Sequence, residues 1–315
     1  MPAAHLSPAA APAVSVVIPT HNCLTFLPAA IASIDAQGPI DLEIVIVDDG
    51  STDGTGDWLL ERAAADPRIR HLAMGGVGPA AARNAAIAAA RAPLVAFLDA
   101  DDIWLPGKLS AQLAVHRARR DVTFSFCDYR HVTLEGTDLG TAFSYWPHFR
   151  DLMARCGSGS HVLPAPKALL FAENVVGTST VMARRDALQN ANGFETQLRI
   201  AEDWDLWLRL AEAGPVACIN AVRTLYLVRP SSASRALDRR RDSLQIVFDR
   251  HAPALLARFP HQVRRARARF ADADAEMLVQ AGAPIASLAA RVKALSLDPS
   301  ARRAKAALRA LADAI

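Results

Sequence analysis

The sequence predicts an α/β protein: a mostly parallel sheet flanked by helices, followed by an α-helical C-terminal appendage. Three observations carry this. Short runs rich in β-branched and aromatic residues, at 14–18, 42–47, 69–72, 94–98 and 122–126, alternate with Ala/Leu-rich stretches of helical composition at 26–35, 55–65, 79–91 and 106–119. The runs are almost uniformly apolar, as strands covered by helices on both faces are. Past residue 234 the composition turns to Ala, Arg and Leu at helical spacing, interrupted at Pro253, Pro260, Pro284 and Pro299, which reads as several short packed helices.

Composition bounds the class. The 315 residues are 51% hydrophobic, 21% charged and 6% aromatic, an ordinary globular balance that excludes a disordered or collagen-like chain. Cys23, Cys127, Cys156 and Cys218 stand far apart without a CxxC pair or a His at ligand spacing, so they read as buried thiols of a reducing compartment. Residues 1–13 lack a cationic start and a continuous apolar stretch and read as a loose leader. No run reaches the roughly 18 apolar residues of a membrane span, so a cytoplasmic protein is expected. The net charge of +3 hides an asymmetry: residues 1–234 hold 19 Lys and Arg against 24 Asp and Glu, the remainder 16 against 8. A basic last quarter, with Arg239–Arg241 and Arg264–Arg269, suits either an anionic membrane surface at the inner face or a solvated helical face. No nucleic-acid partner is expected.

From 128 to 174 the pattern dissolves into Gly, Pro, Ser, His and aromatics, including SYWPHF and CGSGSHVLPAP. So long an irregular segment reads as a functional lid or binding loop, or else as disordered chain. Within it and nearby, Tyr145, Trp146 and Trp104 either stack on a ligand ring or anchor the loop. Order returns at 175–182, then in a helix at 202–213 and a strand at 224–228.

Four segments carry chemistry. VSVVIPTHN and VDDGSTDGT both end apolar runs in small polar residues, and Asp48 and Asp49 stand where a carboxylate either caps the turn and the next helix or accepts from a base N–H or a ribose hydroxyl. In FLDADD, Asp99 and Asp101 two apart in an extended segment point the same way and converge on one ligand. Such a pair either suits a hard divalent ion shared with phosphate oxygens or is a solvated strand end. GGVGPAAARN places Arg83 and Asn84 early in a helix behind a flexible loop, either a plain loop or a phosphate site, but neither GxGxxG nor a P-loop. In AEDWDLWLRL, Glu202, Asp203 and Asp205 fall in a first helical turn, either as the ordinary acids that the dipole favours there or with one of them placed to remove a proton. Trp204 and Trp207 read as core.

These four segments, in this order over about 14–234, resemble a family 2 glycosyltransferase of GT-A fold, a Rossmann-like sheet flanked by helices. The resemblance implies inverting transfer of a sugar from a nucleoside diphosphate donor, usually UDP-linked, to a glycan or lipid-linked acceptor, with Mn²⁺ or Mg²⁺. It implies that Thr20, Asn22, Asp49 and Arg83 hold the nucleoside, that Asp99 contacts ribose or the metal shell, that Asp101 ligates the metal, and that Asp203 is the catalytic base with Glu202 beside it. NGFE at 192–195 resembles the family's GGFDE segment, with Gly193 matching. One departure stands out: where the family often carries a His after the last strand, this chain reads YLVRPSSAS, and Arg229 cannot ligate a cation but suits a diphosphate. The implied organisation is a leader at 1–13, a nucleotide-sugar half at 14–127, an acceptor and base half at 128–234, and a basic helical region at 235–315.

Two rival readings fit parts of the sequence. A phosphatase of the haloacid dehalogenase type would want its aspartate pair on the first strand, with Thr or Val two residues on, where this chain has Ile103. A degenerate member of the same fold that only binds nucleotide sugar or scaffolds an assembly has Arg229 as its support.

Overall fold

The computed structural model describes residues 11–198, 200–229 and 237–314. Most of the leader, the end of YLVRPSSAS, and the side chains of Arg239 and Arg240 lie outside the described residues.

The chain begins with β1 (Val14–Thr20), α1 (Leu27–Asp35), β2 (Leu42–Asp48), α2 (Thr55–Ala65), β3 (Ile69–Ala73), α3 (Pro79–Ala89) and β4 (Leu94–Phe97). These strands are parallel neighbours in the order β3-β2-β1-β4, because each helix returns the chain to the same end of the sheet. The uniform apolar runs have a direct cause: Val17, Val45, Val47 and Phe97 face one layer, whereas Val16, Ile18, Ile44 and Ile46 face the other, and both layers are covered.

Next come β5 (Ile103–Trp104), α4 (Lys108–Ala118), β6 (Phe124–Thr133), β7 (Asp138–Thr141), α5 (Ala142–Tyr145), α6 (Pro147–Cys156), β8 (Ser160–Val162) and α7 (Pro166–Ala172). A 3-10 turn at Thr178–Thr180 leads into β9 (Met182–Arg184), α8 (Arg185–Asn190), α9 (Glu202–Ala213) and β10 (Val216–Val228). The sheet continues β9-β6-β10-β5, with β9 antiparallel to both β4 and β6, and β6 parallel to β10. The first half is therefore parallel as expected and the second mixed, with β9 inserted against the direction of its neighbours.

Two sequence expectations change here. The stretch 128–174 is mostly regular, split among elements of three to ten residues that bury single aromatics such as Phe143, Phe149 and Phe171; elements this short show no period. The last strand starts at Val216, eight residues before the expected 224, because register shifts between Ile219 and Thr224 break its pattern.

The C-terminal region forms α10 (Leu237–Leu256), α11 (Pro260–Gln280), α12 (Pro284–Leu297) and α13 (Ala301–Ala314). They are not all short: α10 and α11 have 20 and 21 residues. Pro253 lies inside α10 without ending it, whereas Pro260 and Pro284 open their helices, where a missing N–H costs nothing. Val247, Phe248, Val263 and Ala266 share the apolar core of the sheet's α9 side. Phe248 stands 5.2 Å from Phe171, ring to ring.

Trp204 and Trp207 are core, as read from the sequence: Trp204 stacks on Phe171 and donates from Nε1 to the Leu170 carbonyl at 3.0 Å, and Trp207 packs on Phe97, Phe124 and Phe194. Phe194 and Leu198 are buried as well. Cys23, Cys127 and Cys218 are buried, but Cys156, ending α6, is exposed. Among the described residues no helix is long and apolar enough to cross a membrane.

Candidate active site

The carboxyl ends of β1, β2 and β4 open onto a cavity of about 480 Å³ whose wall includes Thr20, Asp49, Arg83, Asp99, Asp101, Tyr226 and Arg229. This is where a doubly wound sheet places its ligands, because the strand ends and the helix N-termini face the same crevice.

The two aspartates after β2 divide their work. Asp48 Oδ1 accepts from the Ser51 backbone at 3.1 Å and closes the turn. Asp49 reaches the glycine-rich loop instead, accepting from the Val77 N–H at 2.8 Å and the Gly78 N–H at 2.6 Å. The anion bound by that loop is thus the protein's own carboxylate, which displaces the phosphate reading of GGVG. Gly50 is required here: its φ is +79°, and an added Cβ would stand 3.1 Å from the Gly76 nitrogen. Asn22, at φ +51°, accepts from the Thr52 N–H at 2.8 Å and ties β1 to the same turn without lining the cavity. Thr20 is 3% exposed, lines the cavity, and its hydroxyl finds no partner in the protein.

Arg83 is the hub. It rises from the second turn of α3, 7% exposed, and donates from Nη1 to Glu202 Oε1 at 2.9 Å and from Nη2 to Asp99 Oδ1 at 2.8 Å. Burial works against its charge, and Asp99 with Glu202 outweighs burial, so the guanidinium is held protonated. The next residue, Asn84, makes a reciprocal pair with Phe194, donating to its carbonyl and accepting from its N–H, both at 2.8 Å. The ARN segment therefore grips both the acid turn and the NGFE segment.

The expectation that Asp99 and Asp101 converge in extended chain is corrected. β4 ends at Phe97, and the acids sit in a turn closed by the Asp102 N–H on the Asp99 carbonyl at 3.0 Å. They still face the same cavity. Asp101 is ion-paired with Arg229. Burial, with the charge of Asp99, pushes the Asp101 carboxyl up, and Arg229 opposes this. Asp102 is 1% exposed and clamps the turn to β10, accepting from Ser179 Oγ at 2.5 Å and from the Leu227 N–H at 3.1 Å. Sequence reasoning gave Asp102 no role, although a third acid in FLDADD was a signal. Ser179 and Tyr226, the latter on the cavity wall, carried none.

Glu202 and Asp203 open α9. Burial and then the charge of Asp203 push Glu202 up to about 7, against Arg83. Asp203 accepts from Thr178 Oγ1 at 3.1 Å and from the Trp204 N–H at 2.7 Å, and burial raises its pKa too. Neither lines the cavity directly; Glu202 meets its wall through Arg83. Asp205 belongs elsewhere: fully buried, it accepts from Arg209 at 2.8 Å, Arg250 at 2.9 Å and His251 at 3.0 Å, which fastens α10 onto α9.

Several of the outlying aromatics and arginines have partners within the protein. Trp104 is buried and donates to the Ser179 carbonyl at 2.7 Å, and Tyr145 accepts from Arg302 at 3.1 Å. Of the 264–269 arginines, Arg265 pairs with Asp298, Arg267 covers Phe248, and Arg269 lies 4.6 Å over Trp204. Arg241 pairs with Asp274.

The profile of glycosyl transferase family 2 matches residues 15–173. The chain is 31% identical over 208 residues to TuaG of Bacillus subtilis (strain 168), named for teichuronic acid biosynthesis, which covers 64% of this chain and 73% of TuaG. It spans 28% or less of the longer chondroitin and hyaluronan synthases it also matches. Among solved structures, Staphylococcus aureus TarS 1–349 in complex with UDP-GlcNAc superposes with a TM-score of 0.61 at 16% identity, covering 90% of this chain and 88% of that one. The mannosyltransferase PcManGT of Pyrobaculum calidifontis, with GDP-Man and Mn²⁺, gives 0.63 at 20% identity over 98% and 81%. At these identities the likeness is one of fold, the GT-A arrangement.

Proposed function

The chain belongs to glycosyl transferase family 2, and on that premise we propose that it transfers a sugar, with inversion, from a UDP-linked donor to an acceptor hydroxyl in polysaccharide or glycoconjugate assembly. The observation that carries this reading is the cavity in which Asp99 and Asp101 face Arg229 and Thr20, wired through Arg83 to the first turn of α9.

Thr20 and Asp49 take the nucleoside: the Thr20 hydroxyl has no protein partner, and each Asp49 oxygen keeps a lone pair beside its loop N–H. Asn22 acts one step back, by holding the turn on which Asp49 sits. Arg83 fixes Asp99 toward the ribose and the diphosphate. The carboxylates of Asp99 and Asp101 form a hard oxygen pair that fits Mg²⁺ or Mn²⁺. Among the described residues no three Asp, Glu, His or Cys side chains converge, so phosphate oxygens and water would complete the shell. Such an ion, held by Asp101, would supply positive charge to the leaving diphosphate.

Asp203 is the base. Inversion needs one displacement, with the acceptor hydroxyl deprotonated opposite the leaving group, and a carboxylate on α9 approaches from an element separate from the acid turn. Tyr226, ringed by Tyr129 at 5.9 Å and His131 at 5.3 Å, gives an aromatic surface at the cavity wall against which an acceptor sugar packs. The acceptor is a glycan or a lipid-linked glycan, and the enzyme works on the cytoplasmic side, its basic C-terminal region toward the membrane.

Calorimetric titration with UDP, GDP and dTDP tests the donor half. UDP binding that tightens with Mn²⁺ in the wild type, and does not tighten in Asp101→Ala, is expected. Absence of nucleotide binding under every condition contradicts the reading.

A further inference from the structure

We propose that Arg229 is a second cation of the donor site, sharing Asp101 with the divalent ion: it neutralises Asp101 before donor arrives and moves onto the diphosphate when donor binds. This rests on the reading of the cavity as a nucleotide-sugar site.

The acid turn packs three carboxylates into four residues, and each has its own partner. Asp99 has Arg83, Asp102 has Ser179 and the Leu227 N–H, and Asp101 has Arg229. Arg229 pairs with Asp101 and offsets the neighbouring charge of Asp99. Both members of the Arg229–Asp101 pair are partly exposed, their side chains at 21% and 19%, and both line the cavity. Incoming phosphate oxygens therefore reach the pair, which a sealed ion pair would not allow.

A second contact keeps Arg229 in place when Asp101 lets go. Its guanidinium lies 4.9 Å from the Phe26 ring centroid, just ahead of α1. The planar fork then meets two oxygens of a diphosphate at once. Arg229, at the exit of β10, contributes positive charge to the cavity wall and cannot itself ligate a metal ion.

Two cations on one carboxylate oppose each other's binding, and the opposition is reciprocal. Arg229→Ala should therefore bind Mn²⁺ alone, followed by electron paramagnetic resonance, about tenfold more tightly than the wild type, and should bind UDP in EDTA at least about tenfold more weakly. Arg229→Lys, which keeps the charge without the fork, should fall between the two on both readouts and guards against a folding defect in the alanine variant. Unchanged Mn²⁺ affinity or unchanged metal-free UDP affinity in Arg229→Ala overturns the proposal, as does complete loss of UDP binding by the wild type in EDTA. These outcomes leave metal-dependent nucleotide binding intact and so differ from failure of the donor-site reading, in which no nucleotide binds at all.

Discussion

Arg83 and Glu202, 119 residues apart in the chain, meet at 2.9 Å, and the same guanidinium holds Asp99 at 2.8 Å. One buried side chain thereby sets the distance between the turn that faces the donor and the helix turn that carries Asp203. Arg83→Met should leave Glu202 buried without its partner and lower stability by about 3 kcal/mol in urea denaturation. A change below about 1 kcal/mol would show that the fork does not organise the site.

Asp203 and Glu202 are separable by pH. Burial and the charge of Asp203 push Glu202 up to about 7, so the pair takes up a proton as pH falls below neutrality. Activity should therefore decline on the acid side of about pH 7. Glu202→Gln keeps an acceptor for Arg83 and removes the like charge, so it should stay active with this limb moved to lower pH. Asp203→Asn should lower kcat by roughly 10² to 10⁴ at every pH. The reverse pattern would transfer the base to Glu202.

Asp205 links the C-terminal region to α9. Hydrogen bonds from His251 and Arg209 and the charges of Arg209 and Arg250 outweigh burial and hold its carboxyl down, at about 2. A carboxylate lowered on folding stabilises the protein above its unfolded value near 3.9 and loses that contribution as pH falls through about 2. Asp205→Asn should cost about 3 kcal/mol near neutral pH and flatten the acid dependence of stability between pH 4 and 2. Equal acid slopes in variant and wild type would remove the carboxylate from this role.

Gly193 sits at φ +64°, and an added Cβ would fall 2.3 Å from Asn84 Oδ1. Gly193→Ala should break the reciprocal Asn84–Phe194 pair and lower stability by roughly 2 kcal/mol, measured by denaturant midpoint.

Much of this architecture was legible because its signals are local. Val17 and Val16 face opposite covered layers, which makes the strands read as apolar runs, and turn residues such as Gly50 bracket them. Thr20, Asp49, Arg83, Asp99, Asp101 and Arg229 all stand out in the sequence, and all line one cavity. What stayed hidden is pairwise and distant. Nothing in the spacing told that Asp49 serves Val77 and Gly78, that Arg83 reaches Glu202, or that Asp101 is held by Arg229, 128 residues later. The short elements of 128–174 bury lone aromatics, so periodicity had no window in which to appear.

The most direct test of the account is release of nucleoside diphosphate from UDP-, GDP- and dTDP-sugars in the presence of Mn²⁺, with wild type and Asp203→Asn in parallel. The account predicts turnover of UDP-linked donors by the wild type and a rate at least about 100-fold lower in the variant, because Asp203 activates water as it would an acceptor hydroxyl. Turnover by Asp203→Asn at the wild-type rate would contradict it.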